Sequence, residues 1–213
     1  MRQPTIKARA IGAKRGELEL YWPGTDDAWR WLRYLLWPIP SPVSPIGAPV
    51  VMVPWLRLEN RAAEKAIDAY EREHARPPRR IIMRGYSIGG VKAAYAYAAL
   101  RERHPEYDCK LEIAGAPACA WRFPLWRLVY RIAWRLFGKR THRIAPPNEP
   151  TLLRCRQGVH HIVRGDPVPL LALPWYRHLG AVKHHGNRRM PHPRHHHESA
   201  YREHEVDLGG GID

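Results

Sequence analysis

The sequence predicts an α/β chain built on a mainly parallel sheet with helices on its faces. Three observations predict it. Apolar or alternating runs at residues 17–22, 81–83, 109–114 and 159–163 each end in a turn, as strands do. Stretches rich in helix formers at 59–76 and 91–104 stand between the first three. The second run stops at a glycine-flanked serine, Gly85-Tyr86-Ser87-Ile88-Gly89-Gly90, and passes directly into helix-forming sequence.

Each element has a local reason. Residues 17–22, ELELYW, alternate in polarity and read as a strand closed by the turn Pro23-Gly24-Thr25. Residues 26–37 read as a helix: Asp26 and Asp27 suit its positive end, and Trp29, Leu32 and Leu36 recur at helical spacing. Residues 38–49 are too proline-rich for a helix or a central strand and read as a loop, linker or flap. A short apolar segment, 49–55, precedes a charged helix at 59–76 with Ala62, Ala66, Ile67 and Tyr70 on one side. The helix at 91–104 stops at His104-Pro105. Residues 109–117 make a strand and turn. Residues 151–156 and 159–163 read as one strand or a pair, leaving into a loop at Gly165-Asp166-Pro167. A histidine-rich, proline-broken stretch follows, with a loose tail at 205–213.

The length, 213 residues, suits a single domain, 1–213, and composition narrows its class. Three cysteines, Cys109, Cys119 and Cys155, exclude a disulfide scaffold. No uninterrupted apolar stretch is long enough to predict a membrane span, and the N-terminal residues lack the apolar core of a secretory signal. These features predict a cytoplasmic protein, with peripheral membrane contact as an option. Lysine and arginine total 35 against 20 acidic residues, a net charge of +15. That excess favours anionic partners, a membrane surface or nucleic acid, but a solvated basic surface explains it as well.

The glycine-flanked serine carries the strongest chemical signal. In G-x-S-x-G the serine sits on a strained turn between strand and helix, and glycines two positions either side let the two elements approach. The turn presents the Ser87 hydroxyl above the sheet edge. It also aims the Ile88 N–H, at the helix start, toward a developing oxyanion. A phosphate-binding loop would instead end in G-K-[ST], which is absent. Serine needs a base, and the base needs an orienting carboxylate. On this kind of turn the acid and then the histidine follow in chain order. Asp166 lies just past an apolar strand, at the sheet edge that carries Ser87. His178, His184, His185, His192, His195, His196, His197 and His204 all follow it, and at most one can be the base. The run His195–His197, with Glu198 and His204, also admits a metal-binding reading, although adjacent histidines rarely reach one ion together.

Residues 121–143 form a Trp/Arg-rich insertion. Arg127, Arg131 and Arg135 repeat every four residues, and Leu125, Leu128, Ile132 and Leu136 mark another face. Rings at headgroup level with guanidinium groups on phosphates would suit a membrane interface. An amphipathic helix packed on the core, or a wall of the substrate site, fits the same pattern.

Three blocks together resemble the class 3 lipase family of α/β-hydrolases. Residues 20–25, LYWPGT, followed by 28–32, AWRWL, are similar to the family's strand ending in F-R-G-T and its tryptophan-containing helix. Residues 85–90 resemble G-H-S-L-G-G, with Tyr86 in place of the histidine, and 165–169 resemble D-P-V-P. Gly115-Ala116-Pro117 resembles the family's G-x-P strand end. The resemblance implies an α/β-hydrolase fold and cleavage of carboxylic esters, with lipid or small esters as substrates and no metal or organic cofactor. It assigns Ser87 as nucleophile and Asp166 as acid, with Thr25 and the Ile88 N–H as the oxyanion hole. The family's late H-x-x-x-[AG]-Y pattern falls on His196, with Tyr201 as its tyrosine. His197 is the nearest rival, and His178 matches a different family position. The competing reading is an inactive module of the same fold that binds an anionic membrane or nucleic acid.

Overall fold

The computed structural model describes residues 6–11, 16–24, 44, 46, 48, 52–118, 120–121, 132, 158–171, 176–178, 180–187 and 191–206. Six strands form one sheet: β1 (Lys7–Ile11), β2 (Glu17–Trp22), β3 (Arg80–Tyr86), β4 (Asp108–Ala114), β6 (Gly158–Val163) and β8 (Ala181–His185), in the order β1-β2-β3-β4-β6-β8. β1 runs antiparallel to β2 and the remaining neighbours are parallel. The short strands β5 (Ala120–Trp121) and β7 (Tyr176–Arg177) pair separately. The longer described stretches of helix are α1 (Val53–His74) and α2 (Ile88–Arg103), and α3 (Glu198–Arg202) is a short one.

The expected mainly parallel sheet is present, and its two faces differ sharply. Leu18, Leu20, Trp22, Ile81, Met83, Cys109, Leu111 and Ile113 share one face and are buried with residues of α1 and α2 in the main core. Burying each large apolar side chain contributes roughly 1.5–3 kcal/mol before conformational entropy is counted. α2 is buried on nearly every side, from Val91 to Leu100, because it lies between the sheet and α1. The opposite face carries charge. Glu19 accepts from Arg9 at 3.3 Å and from Arg84 at 2.9 Å, and Arg84 also donates to Glu112 at 2.7 Å. Arg80 bridges to Asp108 at 2.6 Å. Ile82 lies among these charges, and toward the C-terminal ends of the strands the face turns apolar. There Tyr86, Ala114 and Val163 pack with Tyr201 of α3 and Val206.

Several boundaries differ from the sequence reading. α1 begins at Val53 rather than 59, with Pro54 in its first turn, where a missing N–H leaves no hydrogen bond unmade. α2 begins at Ile88, immediately after the serine. β1 and β8 went unpredicted because KARAI sets only small alanines against its charges and AVKHH has Val182 as its single large apolar residue; both are sheet-edge strands and largely exposed. In the proline-rich stretch, Ser44, Ile46 and Ala48 are buried, and the Ala48 N–H donates to Ser44 Oγ at 2.9 Å. Val206, within the stretch read as tail, is buried. The helix expected at 26–37 and the strand at 151–156 lie outside the described residues, as does the 121–143 insertion apart from Trp121 and Ile132. Among the described residues no helix is long and apolar enough to cross a membrane.

Candidate active site

Ser87 sits between β3 and α2 with φ 54° and ψ −128°, a left-handed conformation that a non-glycine residue adopts only under constraint. Its N–H donates to the Ala114 carbonyl at 2.9 Å, and its own carbonyl accepts from the Gly90 N–H at 2.9 Å. The flanking glycines allow this turn. A Cβ on Gly85 would collide with the Gly89 backbone, and one on Gly89 would collide with the carbonyl oxygens of Trp22 and Pro23. Ile88 is the first residue of α2, so its N–H has no partner inside the helix.

Asp166 lies just past β6, with its N–H donating to the Val163 carbonyl at 3.0 Å. Its carboxylate is 1 % exposed and accepts on both oxygens. The Val168 N–H donates to Oδ1 at 2.8 Å, and the Tyr201 hydroxyl donates to Oδ2. Burial, followed by the Asp166 charge, drives the Tyr201 phenol far up, so it remains a donor. Gly115 makes room for this arrangement: its φ is +58°, and a Cβ there would lie 2.9 Å from the Tyr201 hydroxyl and 3.1 Å from Asp166 Oδ2.

His196 closes the arrangement. It ends the 3-10 turn Pro193–His196, just before α3. Its Nε2 lies 2.8 Å from Ser87 Oγ, and its Nδ1 lies 3.0 Å from both Asp166 oxygens. With the proton on Nδ1, the imidazole donates to Asp166 and accepts from the serine hydroxyl. Residues 87, 166 and 196 are far apart in sequence, and the sheet edge brings their side chains into one continuous hydrogen-bonded line.

The other histidines have different partners. His178 packs edge-on against the fully buried His160, ring centroids 4.3 Å apart. His197 caps α3, accepting from the Ser199 N–H at 3.3 Å. His185 pairs with His161 at 2.9 Å and packs beside His204. His192 accepts from the Arg194 N–H at 3.1 Å, and His184 is exposed on β8. His195 lies in the same 3-10 turn as His196. Among the described residues no three histidine, cysteine or acidic side chains form a group able to hold a metal ion. Thr25 lies outside the described residues, but Gly24 before it reaches the serine turn: a Cβ on Gly24 would sit 3.3 Å from Ser87 Cβ. The G-x-P resemblance marked Gly115 as a strand end without a role, and nothing in the sequence marked His160. His160 Nε2 accepts from the Ala116 N–H at 3.2 Å, and this supports the turn that holds Gly115.

No protein-family model and no curated protein sequence matches the chain. Solved structures do. The chain is similar to a lipase from Rhizopus microsporus var. chinensis, at 12% identity and a TM-score of 0.57, over 85% of this chain and 57% of that one. A mono- and diacylglycerol lipase from Aspergillus oryzae matches at 21% identity and a TM-score of 0.53, over 78% and 52%. A triacylglycerol lipase whose catalytic centre is formed by a serine protease triad matches at 14% identity and a TM-score of 0.56, over 84% and 60%. The chain thus spans between half and three-fifths of the length of these relatives. What it shares with them is architecture: the chain has the α/β-hydrolase fold in the form found in these lipases.

Proposed function

We propose that this chain is a serine hydrolase that cleaves carboxylic ester bonds, with lipids or lipid-like esters as substrates. One observation carries the reading: the unbroken line from Ser87 Oγ through His196 to the buried Asp166 carboxylate, at 2.8 and 3.0 Å. Lipid esters are favoured within that class because the chain has the fold of several lipases.

In the proposed reaction Ser87 Oγ attacks the ester carbonyl carbon while His196 Nε2 takes the hydroxyl proton. Asp166 holds the resulting imidazolium, and Tyr201 and the Val168 N–H hold Asp166. The carbonyl oxygen becomes an oxyanion facing the Ile88 N–H at the positive end of α2, with Thr25 as its second donor. Collapse breaks the C–O bond, and the His196 proton passes to the leaving alcohol. Water then attacks the acyl-serine, giving up its proton to the same nitrogen; the bond between Ser87 Oγ and the acyl carbon breaks, His196 returns the proton to Oγ, and the free acid leaves. Each oxyanion donor contributes on the order of 100- to 1000-fold in turnover.

An inert scaffold has no use for a nucleophile, base and acid in register, so hydrolysis is preferred here to a module that only binds membrane or nucleic acid. The test is a fluorophosphonate probe, which labels Ser87 in the wild type and leaves Ser87→Ala unlabelled. Wild-type protein inert to the probe and to esters of every chain length ends the reading. Peripheral contact with anionic membrane through residues 121–143 is a separate part of the proposal. Flotation with phosphatidylserine vesicles, lost on deleting that segment, supports it; unchanged flotation removes it.

A further inference from the structure

Tyr86, which precedes the nucleophile, takes no part in the proton transfers. Its ring nevertheless lies against three parts of the site. It stacks on the His196 imidazole with centroids 5.3 Å apart and planes inclined by 20°. It meets the Tyr201 ring edge-on, at 5.7 Å and 69°. Its Cδ1 lies 3.0 Å from where a Cβ on Gly24 would stand.

The stacking answers a mechanical need. Two hydrogen bonds, at Nδ1 and Nε2, define a line through the imidazole but leave the ring free to rock about that line. The backbone holds the turn, through the His192 N–H to the Gly165 carbonyl at 2.9 Å, but a four-residue 3-10 turn followed by a five-residue helix does not fix the rotation of the His196 ring. A flat ring pressed on one face removes the rocking, and offset aromatic pairs favour the arrangement. The same ring fills the space beside Gly24, at the turn leading to Thr25. Burial, followed by the Asp166 charge, raises the Tyr86 phenol well above its ordinary value, so the ring stays neutral while the site works.

We propose that Tyr86 is a positioning residue: its stacked ring fixes the rotation of His196 and buttresses the Gly24 turn. The role rests on the hydrolase reading, and the experiment separates the two. Wild type, Tyr86→Phe, Tyr86→Leu and Tyr86→Met are compared in kcat, KM and melting temperature on a soluble short-chain p-nitrophenyl ester, and in Ser87 phosphonylation rate. Tyr70→Leu, a buried tyrosine of α1 away from the site, serves as the stability control.

Tyr86→Phe keeps the ring and stays within about threefold of wild type, whereas Leu and Met lose about 100-fold in kcat and in phosphonylation rate at nearly unchanged KM. The control keeps its kcat despite a lowered melting temperature. The proposal is overturned if a folded Leu or Met variant keeps wild-type kcat, if Phe loses as much as Leu, or if Tyr70→Leu loses as much as either. Wild-type protein inert to probe and ester sinks the hydrolase reading, and this role with it. A wild type that labels beside an unimpaired Tyr86→Leu sinks the role alone.

Discussion

The two halves of the site are built by different means. The Ser87 half is backbone work: a seven-residue strand, a turn at φ 54° and a sixteen-residue helix leave the serine no other place. The His196 half is side-chain work, a short turn held by Asp166, Ser87 and the Tyr86 ring. A serine fixed by backbone resists most single changes. An imidazole fixed by side chains depends on each of its neighbours.

The difference decided what the sequence revealed. The serine turn follows local rules of glycine spacing, strand and helix, so Ser87 and Ile88 are legible from a dozen residues. Asp166 is legible for the same reason, as a turn residue ending a strand. Nothing local separates His196 from His195, His197 or His178. Its assignment came from the family resemblance, through its distance to Tyr201. The geometry gives a physical sense to that spacing: five residues on, Tyr201 reaches the same carboxylate as His196 Nδ1. Tyr86 appeared in the sequence only as a departure from a pattern. The sheet-edge strands β1 and β8 were illegible because an exposed strand needs no run of large apolar residues.

The strongest way to break the comparison is to remove one member from each half. Ser87→Ala and His196→Ala are each expected to lower kcat on the order of a millionfold, and the double variant no further, because the members act as a unit. Measured kcat values that multiply in the double variant would show the halves to be independent. His178→Ala, His195→Ala and His197→Ala retain activity; loss confined to one of them moves the base. Asp166→Asn, which presents the wrong partner to Nδ1, should cost about ten-thousandfold.

Gly115→Ala attacks the His196 half at its support. The added Cβ meets the Tyr201 hydroxyl and Asp166 at a positive φ, so about 1–3 kcal/mol of stability should be lost, read by urea denaturation. A Gly115→Ala variant with wild-type midpoint and kcat would mean that the acid turn adapts freely. Tyr201→Phe is the gentler cut. It deletes one hydrogen bond to a buried carboxylate and should lower kcat/KM by about tenfold while the fold persists.

The smallest effect sharpens the comparison along the pH axis. His160 supports the Gly115–Ala116 turn from inside the sheet, and burial first, then the charges of His178, His161 and His184, hold it well below the ordinary histidine value. Burial and the neighbouring His185 charge lower His161 to about 4, and His178 and His185 are lowered too, again chiefly by burial. A histidine depressed in the folded state binds fewer protons there than in the unfolded chain. Its stabilising contribution is therefore complete above about pH 6.5 and is lost as the pH falls from there toward the folded value. For the fully buried His160 the slope is at most about 1.4 kcal/mol per pH unit. Protonated, its Nε2 would carry a hydrogen toward the Ala116 N–H that now donates to it, so the turn at Gly115, against which Asp166 and Tyr201 pack, should loosen. Melting temperatures at pH 8, 7, 6 and 5 should fall across the lower half of that range. His160→Gln, which offers Ala116 an acceptor that does not titrate, should flatten the fall. An equally steep fall in that variant would assign the acid lability to the His161–His185 pair, on the other face of the sheet from His160.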